Sequence, residues 1–491
     1  MAGADFLQLD PAAAPPRGLA TWLTGALRAA VADGRLPIGN RLPATRALAA
    51  ELEVSRGIVV QAYQRLVDEG VLAGRRGGGT VVLASVPPGV RSGVAAPSAP
   101  VPMLDPASRS SVPMLGPASR SSVPMLDPAS KYSVDLDLSP GLPDLSAFPR
   151  AAWLRAERAV LADITDAELG YGDPRGTPAL REALVGQLAR TRGVRTDPDD
   201  VLVVNGVAQG MALLAQVLRA RGTRAVAFED PGPRGTRDQL ERWGLATVRI
   251  PVDALGLDVA ALAATDLDTV VVTPAHQFPT GVVLAAPRRR ELLDWARAGG
   301  LVIEDDYDAE HRYDRAPVAA MHTLAPEHIV YTGSVSKTLA PALRLGWLLA
   351  PPHLRDDLVE AKRWTDITSP ALGQLVLANL ITSGAFDRHL RLSRARNRRR
   401  RDAVLVALAK HLPRARLHGI AAGLHLLVSL PDLDDDAALA ERALATGVVV
   451  HPLSWHRQRP GPAGLVIGYS AHPPDRLHEA IRRLGTLVPR S

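Results

Sequence analysis

The sequence predicts a multidomain chain. A small N-terminal unit of three helices and a hairpin is followed by a tether, then by a large α/β unit on a mostly parallel sheet that ends in a smaller α+β lobe. Three observations carry this. The 491 residues exceed the roughly 250–300 that one hydrophobic core serves. VPMLDPASRSS at 101, VPMLGPASRSS at 112 and VPMLDPASKYS at 123 are three copies of an eleven-residue unit, too short and too proline-rich to pack as a repeat fold. Beyond them, short Val- and Ile-rich runs alternate with helical patterns, and the runs lack the polar alternation of half-exposed strands. The expected boundaries are 17–84 for the first unit, 85–134 for a flexible linker and 135–488 for the large unit.

Composition narrows the chemistry. Hydrophobic content of 46% with 22% charged residues is that of a soluble globular protein. No apolar run approaches the roughly 20 residues that span a bilayer, and the N-terminus has no basic region leading into an apolar core, so a cytoplasmic location is expected. Without cysteine there is no disulfide, thiolate metal site or thiol nucleophile. Thirteen histidines show no HExxH-type pairing, so no metal site is expected.

The first unit is locally basic: between Arg17 and Ala84 there are nine Arg and no Lys against two Asp and three Glu, or 9 − 5 = +4. LATWLTGALRAAVADG has a helical apolar period ending at Gly34, and a second short helix fits between Pro43 and the following turn. Ser55 is a natural N-cap for a third helix, SRGIVVQAYQRLVDEG, that stops at Gly70. VLAGR and TVVLA flank the glycine-rich turn at Arg75 and Arg76, as in a winged hairpin. A helix entering the major groove N-terminus first sets Arg56 against base edges or phosphates, with Arg46 beside the backbone or an adjacent base and Arg75 and Arg76 at the minor groove or its flanking phosphates. Double-stranded DNA is the partner this pattern predicts.

In the large unit the chain reads VLVVN (201), AVAFED (225), TVVVTP (269), LVIEDD (301) and IVYTGS (329) at its expected strands. YTGSVSKTLAPALRLGW then sets Lys337, one of only four lysines, among small hydroxyl residues with Arg344 seven positions on. A buried amine of this kind forms a Schiff base with an aldehyde cofactor, and Ser334, Ser336 and Arg344 suit that cofactor's phosphate, which points to pyridoxal 5'-phosphate. Lys362 and Lys410 lie in charged, helix-like stretches and are expected on solvated surfaces. Asp305, at the C-terminal end of a buried strand, is the candidate partner of the pyridine nitrogen, and Tyr307 the donor to the phenolic oxygen. NGVAQG follows a strand and opens a helix, so the N–H groups of Val207 and Ala208 point at an anion across Gly206.

These residues carry resemblances. GRLPIGNRLPATRALAAELEVSRGIVVQAYQRLVDEGVLAGRRGGGTVV resembles the winged helix-turn-helix of GntR-family bacterial regulators, which implies Arg46, Arg56 and Gly57 at the DNA. YGDPRGTPALREAL, NGVAQG, TPAHQFPTG, EDDYD and SVSKTLAPALRLGW resemble the fold-type I, aspartate-aminotransferase-like enzymes. That resemblance implies Lys337 as the Schiff-base lysine, Asp305 at the ring nitrogen, Tyr307 at the phenolate, and Ser334, Ser336 and Arg344 at the phosphate. It also implies a head-to-tail homodimer in which Tyr171 reaches the neighbouring subunit's phosphate. The two together resemble the MocR subfamily of GntR regulators, whose aminotransferase-like domain would sense the vitamin or a small amino compound through the Lys337 aldimine.

Two departures bear on catalysis. Phe278 stands where many relatives have the asparagine of NPTG, leaving His276 or Gln277 near the ring. Val466 stands at the approximate place of the arginine that clamps a substrate carboxylate, with Arg457 or Arg459 as substitutes. A missing clamp removes a bidentate contact and the orientation it gives, so a working aminotransferase with an accessory DNA-binding module is the weaker alternative. The arginine-rich run Arg388–Arg401 reads as a solvated helix face or a second phosphate-contacting surface.

Overall fold

The computed structural model describes residues 11, 14–15, 18–32, 35–36, 39–75, 79–83, 134–313, 318–431 and 433–488. The three repeats, nearly all of the expected linker, Arg76 and the side chain of Arg75 lie outside them.

The N-terminal unit holds α1 (Leu19–Ala32), β1 (Arg41–Leu42), α2 (Thr45–Glu51), α3 (Arg56–Asp68), β2 (Leu72–Arg75) and β3 (Gly79–Val82). α3 buries Val59, Ala62, Tyr63 and Leu66, the i, i+3, i+4, i+7 stripe of an amphipathic helix, against Leu23, Leu27 and Leu48. Gly70, at φ +78, turns the chain out of the helix into the hairpin. Ser55 occupies the N-cap position, but its exposed hydroxyl makes no capping bond. The sheet order is β1-β3-β2, all antiparallel. β1 went unanticipated because two residues leave no periodic signal.

The large unit opens with β4 (Leu136–Asp137), α4 (Arg150–Asp163) and α5 (Pro178–Arg192). Its sheet contains β5 (Val201–Val204), β6 (Ala225–Asp230), β7 (Ala246–Asp253), β8 (Gly256–Leu257), β9 (Thr269–Val272), β10 (Leu301–Asp305), β11 (Ile329–Ser334) and β12 (Gly346–Leu349). Between these strands run α6 (Val207–Ala220), α7 (Arg234–Arg242), α8 (Val259–Ala263) and α9 (Ala286–Arg297). The strand order is β5-β12-β11-β10-β9-β6-β7-β8. Pairings are parallel from β11 through to β7, whereas β12 runs against both its neighbours. The sheet is therefore mixed, and GWLL, a strand the sequence reading passed over, inserts between β11 and β5. Both faces are covered, and β5, β9, β10 and β12 are buried along their whole length.

After α10 (Pro352–Asp366) and α11 (Ala371–Thr382), the 27-residue α12 (Ala385–His411) leads to a lobe built from β13 (Arg416–His418), β14 (His425–Ser429), α13 (Asp436–Ala445), β15 (Val448–Val449), β16 (His451–Pro452), β17 (Gly464–Gly468) and α14 (Pro474–Leu487). β4 pairs with β15, so the start of the large unit belongs to this lobe, and Leu136 and Leu138 join its core with Leu408, Ile467 and Ile481. The N-terminal unit packs on the large one: a Cβ on Gly70 would lie 3.4 Å from the Ala286 carbonyl, and the cores merge through Leu292 and Leu293 of α9.

Candidate cofactor site and DNA-reading face

β10 delivers Asp305 to the C-terminal edge of the sheet, where its carboxylate accepts a 3.2 Å bond from Thr332, its register partner on β11. Burial pushes Asp305 up to about 6, with Asp306 adding to the rise and the Thr332 bond and Lys337 opposing it. The neighbouring carboxylate faces the other way, as successive strand residues must, and is neutralised there. Asp306 accepts from Arg192 Nε at 2.5 Å and from the Tyr331 hydroxyl at 2.6 Å.

Lys337 sits in the turn that leaves β11. Burial lowers the pKa of its amine, against the pull of Asp308 and Asp305, and so favours the nucleophilic neutral form. A Cβ on Gly141 would come within 2.9 Å of Lys337 Nζ, so the loop before α4 lies directly over the amine. α12 holds that loop: Arg400 Nη1 is 2.9 Å and Arg396 Nε 3.4 Å from Asp144 Oδ2.

Tyr307, His276 and Asp308 form a hydrogen-bonded relay. The Tyr307 hydroxyl is 3.0 Å from His276 Nδ1, which also lies 3.0 and 3.1 Å from the two oxygens of Asp308. One ring nitrogen carries at most one hydrogen; with that hydrogen directed at Asp308, the hydroxyl hydrogen of Tyr307 is free to point elsewhere. Burial pushes Asp308 up, but the charge of His276 and its hydrogen bond, helped by His425 and His311, hold it below the ordinary carboxylate range. Of the two stand-ins for the absent asparagine, His276 joins the site, while Gln277 donates to Glu229, Pro231 and Phe278 as a brace of its own loop. His276, Asp308 and His425 bring ligand atoms within 4.8 Å of one another, a grouping no sequence spacing discloses.

The anion cradle forms where β5 meets α6. Gly206, at φ +76, opens the helix, and the N–H groups of Val207 and Ala208 donate to no carbonyl among the described residues. Arg344, itself in the left-handed region at φ 52, donates from Nη2 to the Asn205 carbonyl at 2.7 Å. A Cβ on Gly206 would come within 2.7 Å of that same Nη2, so glycine is required there. Register aligns Ser334 of β11 with Gly346 and Val204, bringing the serine loop to the same edge, where Ser334 Oγ accepts from the Ser336 N–H at 3.3 Å. Tyr171 stands away from this cluster, 88% exposed.

Sequence reasoning missed the support beneath the cradle. Asp366 accepts from Asn205 Nδ2 at 3.0 Å, Gln209 Nε2 at 2.8 Å and Lys362 Nζ at 2.8 Å, and Lys362 also donates to Ser369 at 2.9 Å. Lys362, expected on a solvated surface, is fully buried because its stem continues the apolar stripe of Leu354 and Leu358 along α10. A Leu, Leu, Lys series at i, i+4, i+8 was the available signal. Val466 is buried in β17, Arg457 folds back on the Pro462 carbonyl, and Arg459 is exposed.

On the N-terminal unit, Arg56 and Gly57 are exposed at the N-terminus of α3, and Arg46 is exposed on α2 beside them. No helix among the described residues is long and apolar enough to cross a membrane.

The architecture is that of a winged helix-turn-helix joined to a fold-type I aminotransferase domain. Residues 135–484 match the family aminotransferase class I and II, and residues 20–82 match the gntR family of bacterial regulatory proteins. The HTH-type pyridoxine biosynthesis transcriptional regulator PdxR of Corynebacterium glutamicum is 32% identical over 96% of both chains. TauR of Rhodobacter capsulatus, an HTH-type transcriptional regulator, is 34% identical over 86% of both. Among solved structures, the kynurenine aminotransferase of Pyrococcus horikoshii superposes with a TM-score of 0.66 at 26% identity, over 73% of this chain and 91% of that one. The α-aminoadipate aminotransferase LysN of Thermus thermophilus gives 0.65 at 27% identity, over 72% and 91%. The chain belongs to the MocR subfamily of GntR-type transcription regulators.

Proposed function

We propose that this regulator binds pyridoxal 5'-phosphate at Lys337 and that the occupancy or chemistry of that site sets its grip on DNA. The observation that carries the reading is convergence. Lys337, Asp305, Tyr307 and the Gly206–Arg344 cradle come from three separate segments and offer what this cofactor asks of a protein: an amine, an acid, a phenol-side donor and an anion site. The residues fit the phosphate, since the helix N–H groups at Val207 and Ala208 have no partners among the described residues and glycine at 206 keeps the guanidinium of Arg344 in reach. Bound there, the cofactor supplies an aldehyde carbon for amines and a pyridinium ring that withdraws electrons. The residues do the rest. Asp305 holds a proton on the ring nitrogen, Tyr307 donates to the phenolic oxygen with His276 and Asp308 fixing its orientation, and Ser334, Ser336 and Arg344 anchor the phosphate.

A small amino compound that competed with Lys337 for the cofactor's aldehyde would leave the Lys337 amine free beneath the Gly141 loop, and that loop's tie to α12 through Asp144 would convey the change. Such a ligand shifts DNA affinity only as far as it binds two conformations differently. With Val466 buried and Arg457 turned to a backbone carbonyl, no carboxylate clamp is evident in the predicted positions, which favours sensing over rapid transamination. The apolar side chains of Leu154, Leu161, Leu169, Tyr171 and Trp364 are exposed, as for a chain that buries them against a second copy, and a head-to-tail homodimer with Tyr171 crossing to the partner's cradle accounts for them.

The test is the visible absorbance of the purified chain on titration with pyridoxal phosphate. The wild type should develop a band that Lys337→Ala abolishes, and operator affinity should differ between the two forms. A wild type that stays colourless defeats the cofactor reading; a band with no change in DNA affinity defeats the coupling.

A further inference from the structure

α12 sorts its arginines by face. His389, Leu390, Ser393, Asn397, Arg400 and Val404 are buried, and Arg394, Arg396 and Arg400 serve the interior through the Glu310 carbonyl, Asp144 and the Ser470 carbonyl. The expectation of a wholly solvated face is corrected to that extent. Arg388, Arg391, Arg398 and Arg399 remain exposed, and none of them forms a hydrogen bond or ion pair with a described residue. At roughly 100° and 1.5 Å per residue they fall within an arc of about 100° and span about 16 Å of helix. The nearby acids are already engaged: Asp387 by Gln187 and Arg190, Asp402 by Arg401, and Asp144 as above. Four unpaired guanidiniums in one stripe form a concentrated positive field.

Duplex DNA carries one negative charge per about 1.7 Å of axis, so about 16 Å of arginines is commensurate with several phosphates of a duplex.

We propose that Arg388, Arg391, Arg398 and Arg399 form a second contact surface for double-stranded DNA, gripping phosphates outside the base pairs that the winged helix covers. The proposal rests on the DNA-binding reading of the N-terminal unit. The stripe adds affinity without base specificity and binds flanking duplex against the large unit, which couples the path of the DNA to that unit's conformation.

The test uses the full chain loaded with pyridoxal phosphate and a duplex selected in vitro for binding to it, prepared at about 20 base pairs and again with flanks to about 60, to cover the half-sites alone and then further turns. The wild type is expected to bind the longer duplex at least tenfold more tightly, with a steeper salt dependence by up to about 0.9 per phosphate neutralised. The fourfold variant Arg388→Gln, Arg391→Gln, Arg398→Gln, Arg399→Gln should bind the short duplex like the wild type, keep the cofactor absorbance as a sign of intact folding, and lose the gain on the long one. Equal affinity of the wild type for both lengths, a variant indistinguishable from it, or a variant equally weakened on both lengths would each overturn the proposal. Arg46→Ala with Arg56→Ala should weaken both lengths, which separates failure of the reader from failure of the stripe. A wild type that binds neither duplex removes the DNA reading itself and this proposal with it.

Discussion

Lys337 and Gly141 share a space that admits no further side chain, because a Cβ on Gly141 would stand 2.9 Å from Lys337 Nζ. Gly141 also has φ +81, a conformation that costs an L-residue about 1–2 kcal/mol. Gly141→Ala must therefore displace either the loop or the amine. The expected outcome is at least tenfold weaker uptake of pyridoxal phosphate, measured by spectrophotometric titration, with the melting temperature lowered by only a few degrees. A variant that titrates like the wild type would show that the loop does not close over the amine.

Arg344 and Gly206 make a separable prediction about the phosphate. A charge-assisted hydrogen bond is worth about 1.5–3 kcal/mol, so Arg344→Ala should weaken pyridoxal phosphate by about 10- to 100-fold. Pyridoxal without its phosphate should bind both proteins alike. Gly206→Ala should act in the same direction, since its methyl would meet Nη2 at 2.7 Å. Equal losses for the two ligands would move Arg344 out of the anion site.

Much of this geometry was legible in the residues, and the reasons are physical. Asp305, Lys337 and Gly206 follow or end strands whose Val and Ile content marks them as buried, and a parallel-type sheet gathers such ends on one edge. The helix α3 announced itself by apolar period and by Gly70. What escaped was support that depends on packing between distant segments. The buried Lys362, the Asp144 tie to α12 and the His276–Asp308 pair join residues whose sequence separation hides them, and a run of eight arginines gives no hint of which ones turn inward. GWLL was missed because four residues that begin with glycine are too few to separate a strand from a turn by period.

Stability should rise with pH on the acid side and level off near neutrality. Burial holds His311, His322 and His451 down to about 4, and His425 and His456 to about 3. Burial raises Asp305 to about 6 and Glu229 and Glu310 to about 7. Near pH 5 the unfolded chain protonates the five histidines while the folded chain protonates the three carboxyls. The unfolded state thus binds more protons, and stability increases with pH. Above about pH 6.5 the unfolded histidines lose their protons, and the stability held by the carboxyls falls as pH rises through 6 to 7, so the two contributions offset. Removing Asp305 takes one proton from the folded side only. Asp305→Asn should therefore make the rise between pH 4 and 6 steeper in urea titrations of the cofactor-free protein; a shallower rise would mean that Asp305 is ionised there.

Arg56 and Arg46 should separate base reading from positioning. Arg56 is the first residue of α3 and exposed, the position expected to meet the groove where a recognition helix enters it. A bidentate contact to a guanine edge is worth about 1–3 kcal/mol, and its loss in Arg56→Ala should relax discrimination at one base position, read by competition among duplexes substituted position by position. Arg46 is exposed near the start of the preceding helix and is expected at the DNA backbone; Arg46→Ala should then weaken all duplexes alike and lower the salt dependence by about 1. If Arg56→Ala also weakens every sequence equally, the base contact must come from farther along the outer face of α3, where Val60 and Gln61 are exposed, and Arg56 holds a phosphate instead.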